Sequence, residues 1–183
     1  SIPREVGLRD TPEGPRLYQR PVRELSAARG AGLKLHQADV DEASAAVSAL
    51  DPLPALELAL TVDLNGAARF GLTIAHGQGD ETRLWIDPTT SELCLDRTRS
   101  GLSDFSEHFP AVHRAPLSTA EGRVELRIIL DSCSIEVFAQ EGFVAFTDLI
   151  FPRSPQHAVS LWSTGGDPVL TSLELWPLGW TGL

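Results

Sequence analysis

The chain has 183 residues, 42% of them hydrophobic and 22% charged, which suits one globular domain with a real core and makes disorder a poor default. Its formal net charge is −10, with no basic stripe and no basic residues interleaved with aromatics, so nucleic acid is disfavoured as a partner. No apolar stretch reaches the length that crosses a membrane, and the two cysteines, Cys94 and Cys133, lack any zinc-like spacing.

The N-terminus, "SIPREVGLRD", has no signal-peptide shape, and the chain contains no Met. It reads as a processed product or a piece of a longer protein, and its compartment is undetermined. Residues 1–36 are rich in turns: "TPEGPRLYQRPVREL" reads as a linker with short edge strands. "HQADVDEASAAVSALDPLP" follows, where a helical turn and a loop are equally compatible, and Pro52 and Pro54 stop any helix.

From Leu56 the texture changes. "LELALTV", "RFGLTIA", "TRLWID", "ELCLD", "VELRIIL", "SIEVFA", "FVAFTDLIF", "AVSLWS" and "VLTSLELW" are short apolar or alternating runs. Turn-forming stretches such as "DLNGAA", "HGQGDE" and "TGGDP" divide them. Many closely spaced strands without long helices predict an all-β fold, a two-sheet antiparallel β-sandwich of jelly-roll or concanavalin-like type. The sandwich is expected over residues 37–183.

"RIILDSCSIEVFAQEGFVAF" concentrates Asp131, Cys133 and Glu136. A two-residue turn at Ser132-Cys133 sets Leu130 opposite Ile135 and Arg127 opposite Phe138. Val124, Leu126, Ile128, Leu130, Ile135 and Val137 then share the buried face. Arg127, Ile129, Asp131, Glu136 and Phe138 share the other face. Asp131 and Glu136 come to roughly 8 Å apart on it, a spacing used by inverting glycosidases. The simpler reading is structural, with Asp131 as a turn residue and Glu136 diagonal to Arg127 and paired with it. A thiol at a turn with no base beside it is not a nucleophile.

The same stretch, continued through "TDLIFP", is similar to the signature hairpin of the C-terminal β-sandwich domain of glycoside hydrolase family 32, the invertases, levanases, inulinases and other β-fructofuranosidases. The residues that carry the likeness are Asp131, Ser134, Ile135, Glu136, Val137, Phe138, Gly142, Phe146, Thr147, Ile150, Phe151 and Pro152. "SIPREV", "LYQRPVREL", "LCLDRTRSG", "APL" and "SLELWPL" resemble further family segments in the same order, from about residue 1 to about 178.

The resemblance implies a partner in cis, an N-terminal five-bladed catalytic propeller, and fructan or sucrose as substrate. It also implies that the catalytic carboxylates lie in Asn-Asp-Pro-Asn-Gly, Arg-Asp-Pro and Glu-Cys motifs of that propeller, none of which occurs here. "WIDP" and "GGDP" contain Asp-Pro without the surrounding motif. No catalytic residue, cofactor or metal is therefore assigned to this chain. The expected role is to steady the propeller, shape the active-site rim or mediate dimer contacts. An independent fructan-binding module is the alternative.

Strand alternation sets Trp85, Trp162, Trp176 and Phe138 on the polar side of their strands. Three readings stand for them: caps under loops, a surface packed on the propeller, or a platform for sugar rings. His36, His76, His108, His113 and His157 are scattered and read as surface or loop residues.

Overall fold

The computed structural model describes residues 1–12 and 14–179; residues 180–183 of the expected sandwich lie outside the described residues. The chain opens with an antiparallel ribbon, β1 (Arg4–Thr11) and β2 (Gly14–Pro21), that joins neither main sheet. A 3-10 turn (Arg23–Ala28) and the short strands β3 (Leu33–Leu35) and β4 (Ala38–Asp39) lead into helix α1 (Val40–Ser48). Ten strands follow: β5 (Leu56–Asp63), β6 (Arg69–Ala75), β7 (Glu81–Asp87), β8 (Glu92–Arg99), β9 (Val112–Pro116), β10 (Arg123–Asp131), β11 (Ser134–Ala139), β12 (Val144–Leu149), β13 (Ala158–Thr164) and β14 (Val169–Pro177).

These strands form an antiparallel all-β sandwich. One sheet runs β12-β11-β10-β5-β14-β3, with β4 also on β14, and the other runs β13-β6-β7-β8-β9. The predicted hairpin register holds: Leu130 faces Ile135, Arg127 faces Phe138 and Asp131 faces Ser134. Period-two patterning accounts for the core. Leu56, Leu58, Leu60 and Val62 of β5 and the even-numbered apolar residues of β10 meet Phe70, Leu72, Ile74, Leu84, Ile86, Leu93 and Leu95 from the facing sheet. Each fully buried side chain of this size contributes about 1.5–3 kcal/mol.

The segment left open between helix and loop is helical. The Asp39 side chain caps α1 by accepting from the Glu42 N–H at 2.7 Å, and Val40, Ala43 and Val47 are buried. Strand β9 follows a loop and its residues alternate between exposed and half-buried, so its apolar signal is weak.

The β1–β2 ribbon is pinned to the turn after β11. There Gln140 and Glu141 adopt left-handed backbone, and Gly142 has φ +90°. A Cβ on Gly142 would sit 1.9 Å from the Gln19 carbonyl oxygen. Arg9 and Arg20 both bind the Glu141 carboxylate, and Arg9 chiefly holds that carboxyl below its ordinary range. Gly142→Ala should cost about 2 kcal/mol through backbone strain and the close approach. Residues 4–21 should then be the first site cut in limited proteolysis; unchanged protection there would contradict this account of the docking.

Candidate functional site

Two aligned rows of side chains cross the outer faces of the sandwich. On the seven-stranded sheet, the registers place Trp176, Glu57, Ile129, Glu136 and Thr147 side by side across five strands. The row holds two carboxylates, Glu57 and Glu136, both almost fully buried at 0% and 1% exposure. Glu57 accepts from Arg29 Nε at 2.8 Å and Nη2 at 2.6 Å, and from Arg127 Nε at 2.6 Å. Glu136 accepts from the Ile2 N–H at 2.6 Å and from Arg4 Nη2 at 2.5 Å.

This arrangement corrects two expectations and, for two of the aromatics, favours one of the three readings. Glu136 does not stand on a wet face beside Arg127, because the N-terminal segment covers it and supplies Arg4. Arg127 pairs instead with Glu57 on the neighbouring strand. Phe138 and Trp176 keep the expected parity but are buried. Arg4 lies 5.0 Å from the Phe138 ring centre, and Arg29 lies 3.7 Å from that of Trp176. Both aromatics are thus caps under the N-terminal segment, held partly by cation–π attraction. The hydrogen bonds that Arg29 donates to Glu57 also raise the Arg29 pKa above its usual value.

The acids of the signature hairpin therefore do not form a free pair. Asp131 is exposed at the turn, and its Oδ1 accepts the Ser132 N–H at 2.7 Å. Cys133 is exposed, Cys94 is buried, and both are free thiols. Burial pushes the Cys94 pKa up, away from thiolate chemistry. Among the described residues, no group of three or more His, Cys, Asp or Glu could hold a metal ion.

Two of the histidines expected at surface or loop positions lie in connecting segments but are not at the surface. His76 and His157 are buried, and their Nδ1 atoms lie 2.7 Å apart. His76 Nε2 lies 2.9 Å from Thr82 Oγ1. Burial pushes the His76 pKa down to about 4, and burial also lowers that of His157. The two rings are 81 positions apart in sequence, so spacing carried no sign of the pair.

The second row crosses the five-stranded sheet: Trp162, Gly71, Trp85, Cys94 and Arg114. Trp85 and Trp162 are half-buried. A Cβ on Gly71 would lie 2.5 Å from Trp162 Cζ2, so the indole rests on the space that glycine leaves open.

A groove of about 470 Å³ separates the β2 end of the ribbon from the seven-stranded sheet. Arg20, Glu125, Arg127, Glu141, Ser172 and Glu174 give it a polar lining. The ribbon itself exposes Val6 (61%), Leu8 (72%) and Leu17 (52%). Leu8 pairs with Leu17, and Val6 with Gln19, so these residues share one face.

A family model described as "Glycosyl hydrolases family 32 C terminal" matches residues 24–177. The chain belongs to this family. The family 32 C-terminal chain is 34% identical to a levanase of Bacillus sp. (strain L7) over 96% of its own length and 19% of the relative's. It is also 34% identical to a levanase of Bacillus subtilis (strain 168), over 97% of its own length and 27% of the relative's. It thus spans a fifth to about a quarter of the length of these curated relatives. A crystal structure of an exo-inulinase from Aspergillus awamori shares its fold, with a TM-score of 0.82 and 24% identity over 100% of this chain and 36% of that one. The family 32 domain carries its signature Glu136 as a buried anchor for the N-terminal segment.

Proposed function

We propose that this domain is a non-catalytic partner, in cis, of a fructan- or sucrose-hydrolysing catalytic domain. The resemblance implies a five-bladed propeller for that partner. The observation that carries the proposal is the apolar face of the β1–β2 ribbon. A two-stranded ribbon is marginal alone, and three large apolar side chains on one exposed face need a surface to cover them. Its opposite face is already occupied: Tyr18 meets Phe143 edge-on at 6.5 Å, and Arg9 lies over both rings.

The polar groove beside the ribbon extends the same interdomain surface. Beneath the N-terminal segment, Glu57 and Glu136 act as structural anchors through Arg29, Arg127 and Arg4. The relatives named as levanases and exo-inulinase support fructan as the substrate of the whole enzyme.

The test is a chimera in which this chain replaces the matching region of the Bacillus subtilis levanase. It should be soluble and hydrolyse levan, while the chain alone releases no fructose from levan, inulin or sucrose. Val6→Asp with Leu8→Asp should lower the chimera's melting temperature and leave that of the isolated chain within about 2 °C, since exposed substitutions are nearly neutral. Fructose release by the isolated chain would overturn the non-catalytic reading. An ordinary chimera melt with both aspartates in place would overturn the role of the ribbon.

A further inference from the structure

We infer that the outer face of the five-stranded sheet is a binding platform for a neutral oligosaccharide, a fructan chain, with Trp85 and Trp162 as its two stacking surfaces. Carbohydrate stacking needs flat aromatic faces, a shallow open shelf and polar groups at the edge. Register supplies the shelf. Trp162 and Trp85 occupy one row and flank Gly71, which is the partner of each. Two strand spacings separate them, about 10 Å at the backbone, which suits linked rings better than a single one. Gly71 is essential to the shape, because any side chain there would collide with Trp162 Cζ2 and with the Leu84 carbonyl oxygen.

The surroundings select against an ionic ligand. Arg69 pairs with Asp87 at 2.8 Å, Arg83 with Glu81 at 2.9 Å and Arg114 with Glu92 at 3.3 Å. These guanidinium groups are neutralised locally, and the net charge of −10 repels anions generally. Thr73 and Ser160 adjoin the tryptophan row as a cross-strand pair; Thr73 offers a hydroxyl to a polyol, and Ser160 Oγ, which donates to the Thr73 carbonyl at 3.5 Å, can still accept. Trp85 Nε1 is covered and has no hydrogen-bond partner, so Trp85 offers its ring rather than its N–H.

Among the described residues, the opposite sheet has no equivalent. Trp176 and Phe138 are buried there beneath Arg29 and Arg4. The choice of fructan among neutral polysaccharides rests on the function proposed above; the platform itself rests on the geometry alone.

Affinity electrophoresis of the whole chain in gels containing levan, inulin or dextran tests the inference. Levan or inulin should retard the protein, and dextran should not. Trp85→Leu and Trp162→Leu keep apolar bulk but lack a flat face, and each should raise Kd about tenfold, while Trp176→Phe should leave it unchanged. On titration of the unaltered chain with inulin oligosaccharides, the indole resonances of Trp85 and Trp162 should shift and that of Trp176 should not. This second readout holds even if a variant fails to fold. No retardation in any gel, or binding that moves neither indole, overturns the platform and leaves the accessory role to the chimera. Retardation by dextran alone overturns the fructan assignment.

Discussion

Glu57→Ala should destabilise the domain by about 3 kcal/mol and lower its melting temperature by about 6–12 °C. The carboxylate is inaccessible and accepts three charge-assisted hydrogen bonds from Arg29 and Arg127. Removing one member of a buried ion pair usually costs about 3–5 kcal/mol, mainly because the remaining charge is stranded. Here both guanidinium groups keep some access to water, with side chains 26% and 29% exposed, so the lower end of that range applies. The loss should not stay local. Arg29 spreads over Trp176, and the adjacent Gly30 N–H donates to the Pro177 carbonyl at 2.9 Å. Hydrogen exchange should therefore rise first around residues 23–35. A cycle with Arg29→Ala tests the coupling: the double variant should be less destabilised than the two single losses summed. Additive losses, or a melting shift below about 2 °C for Glu57→Ala, would contradict the anchor role.

Glu57 also marks where sequence reading ran out. In "LELALTV" its outward parity was legible, since period-two alternation assigns faces within a strand. Its environment was not, because the covering Arg29 is 28 positions away and belongs to a turn-rich segment. Glu136 repeats the lesson at greater range, with Arg4 132 positions upstream. The hairpin register from Arg127 to Phe138 was legible because a tight turn and a half-buried pattern agree on one pairing. Strand alternation also set Trp85 and Trp162 on outer faces. Their alignment across Gly71 required the register of three strands, and only an isolated glycine inside a strand hinted at a close approach there. The sandwich and its family were thus readable from local pattern. The roofing of its outer faces depends on contacts between remote segments.

Acidification should weaken the domain before its carboxylates titrate, through the His76–His157 pair. In an unfolded chain both imidazoles take up protons near pH 6.5. Folding opposes this, since burial pushes His76 down to about 4 and lowers His157 as well. Between those values the unfolded state binds more protons than the folded one, so stability falls as pH falls. It is complete above about pH 7 and declines through the window from about 6.5 to 4. For His76 alone the loss reaches about 3 kcal/mol. Neighbouring acids oppose the shifts without cancelling them. Asp80 favours the charged form of His76, but it is itself paired with Arg153, and Asp131 acts likewise on His157. The short Nδ1–Nδ1 contact requires one ring to donate and the other to accept, which two doubly protonated rings cannot do. Melting temperature measured from pH 7.5 to 5 should fall steadily in the unaltered chain. His157→Gln removes one titrating group and keeps a polar one, so the slope over that range should become shallower. A flat profile between pH 7 and 5, or both imidazoles titrating near 6.5 by NMR, would refute the linkage.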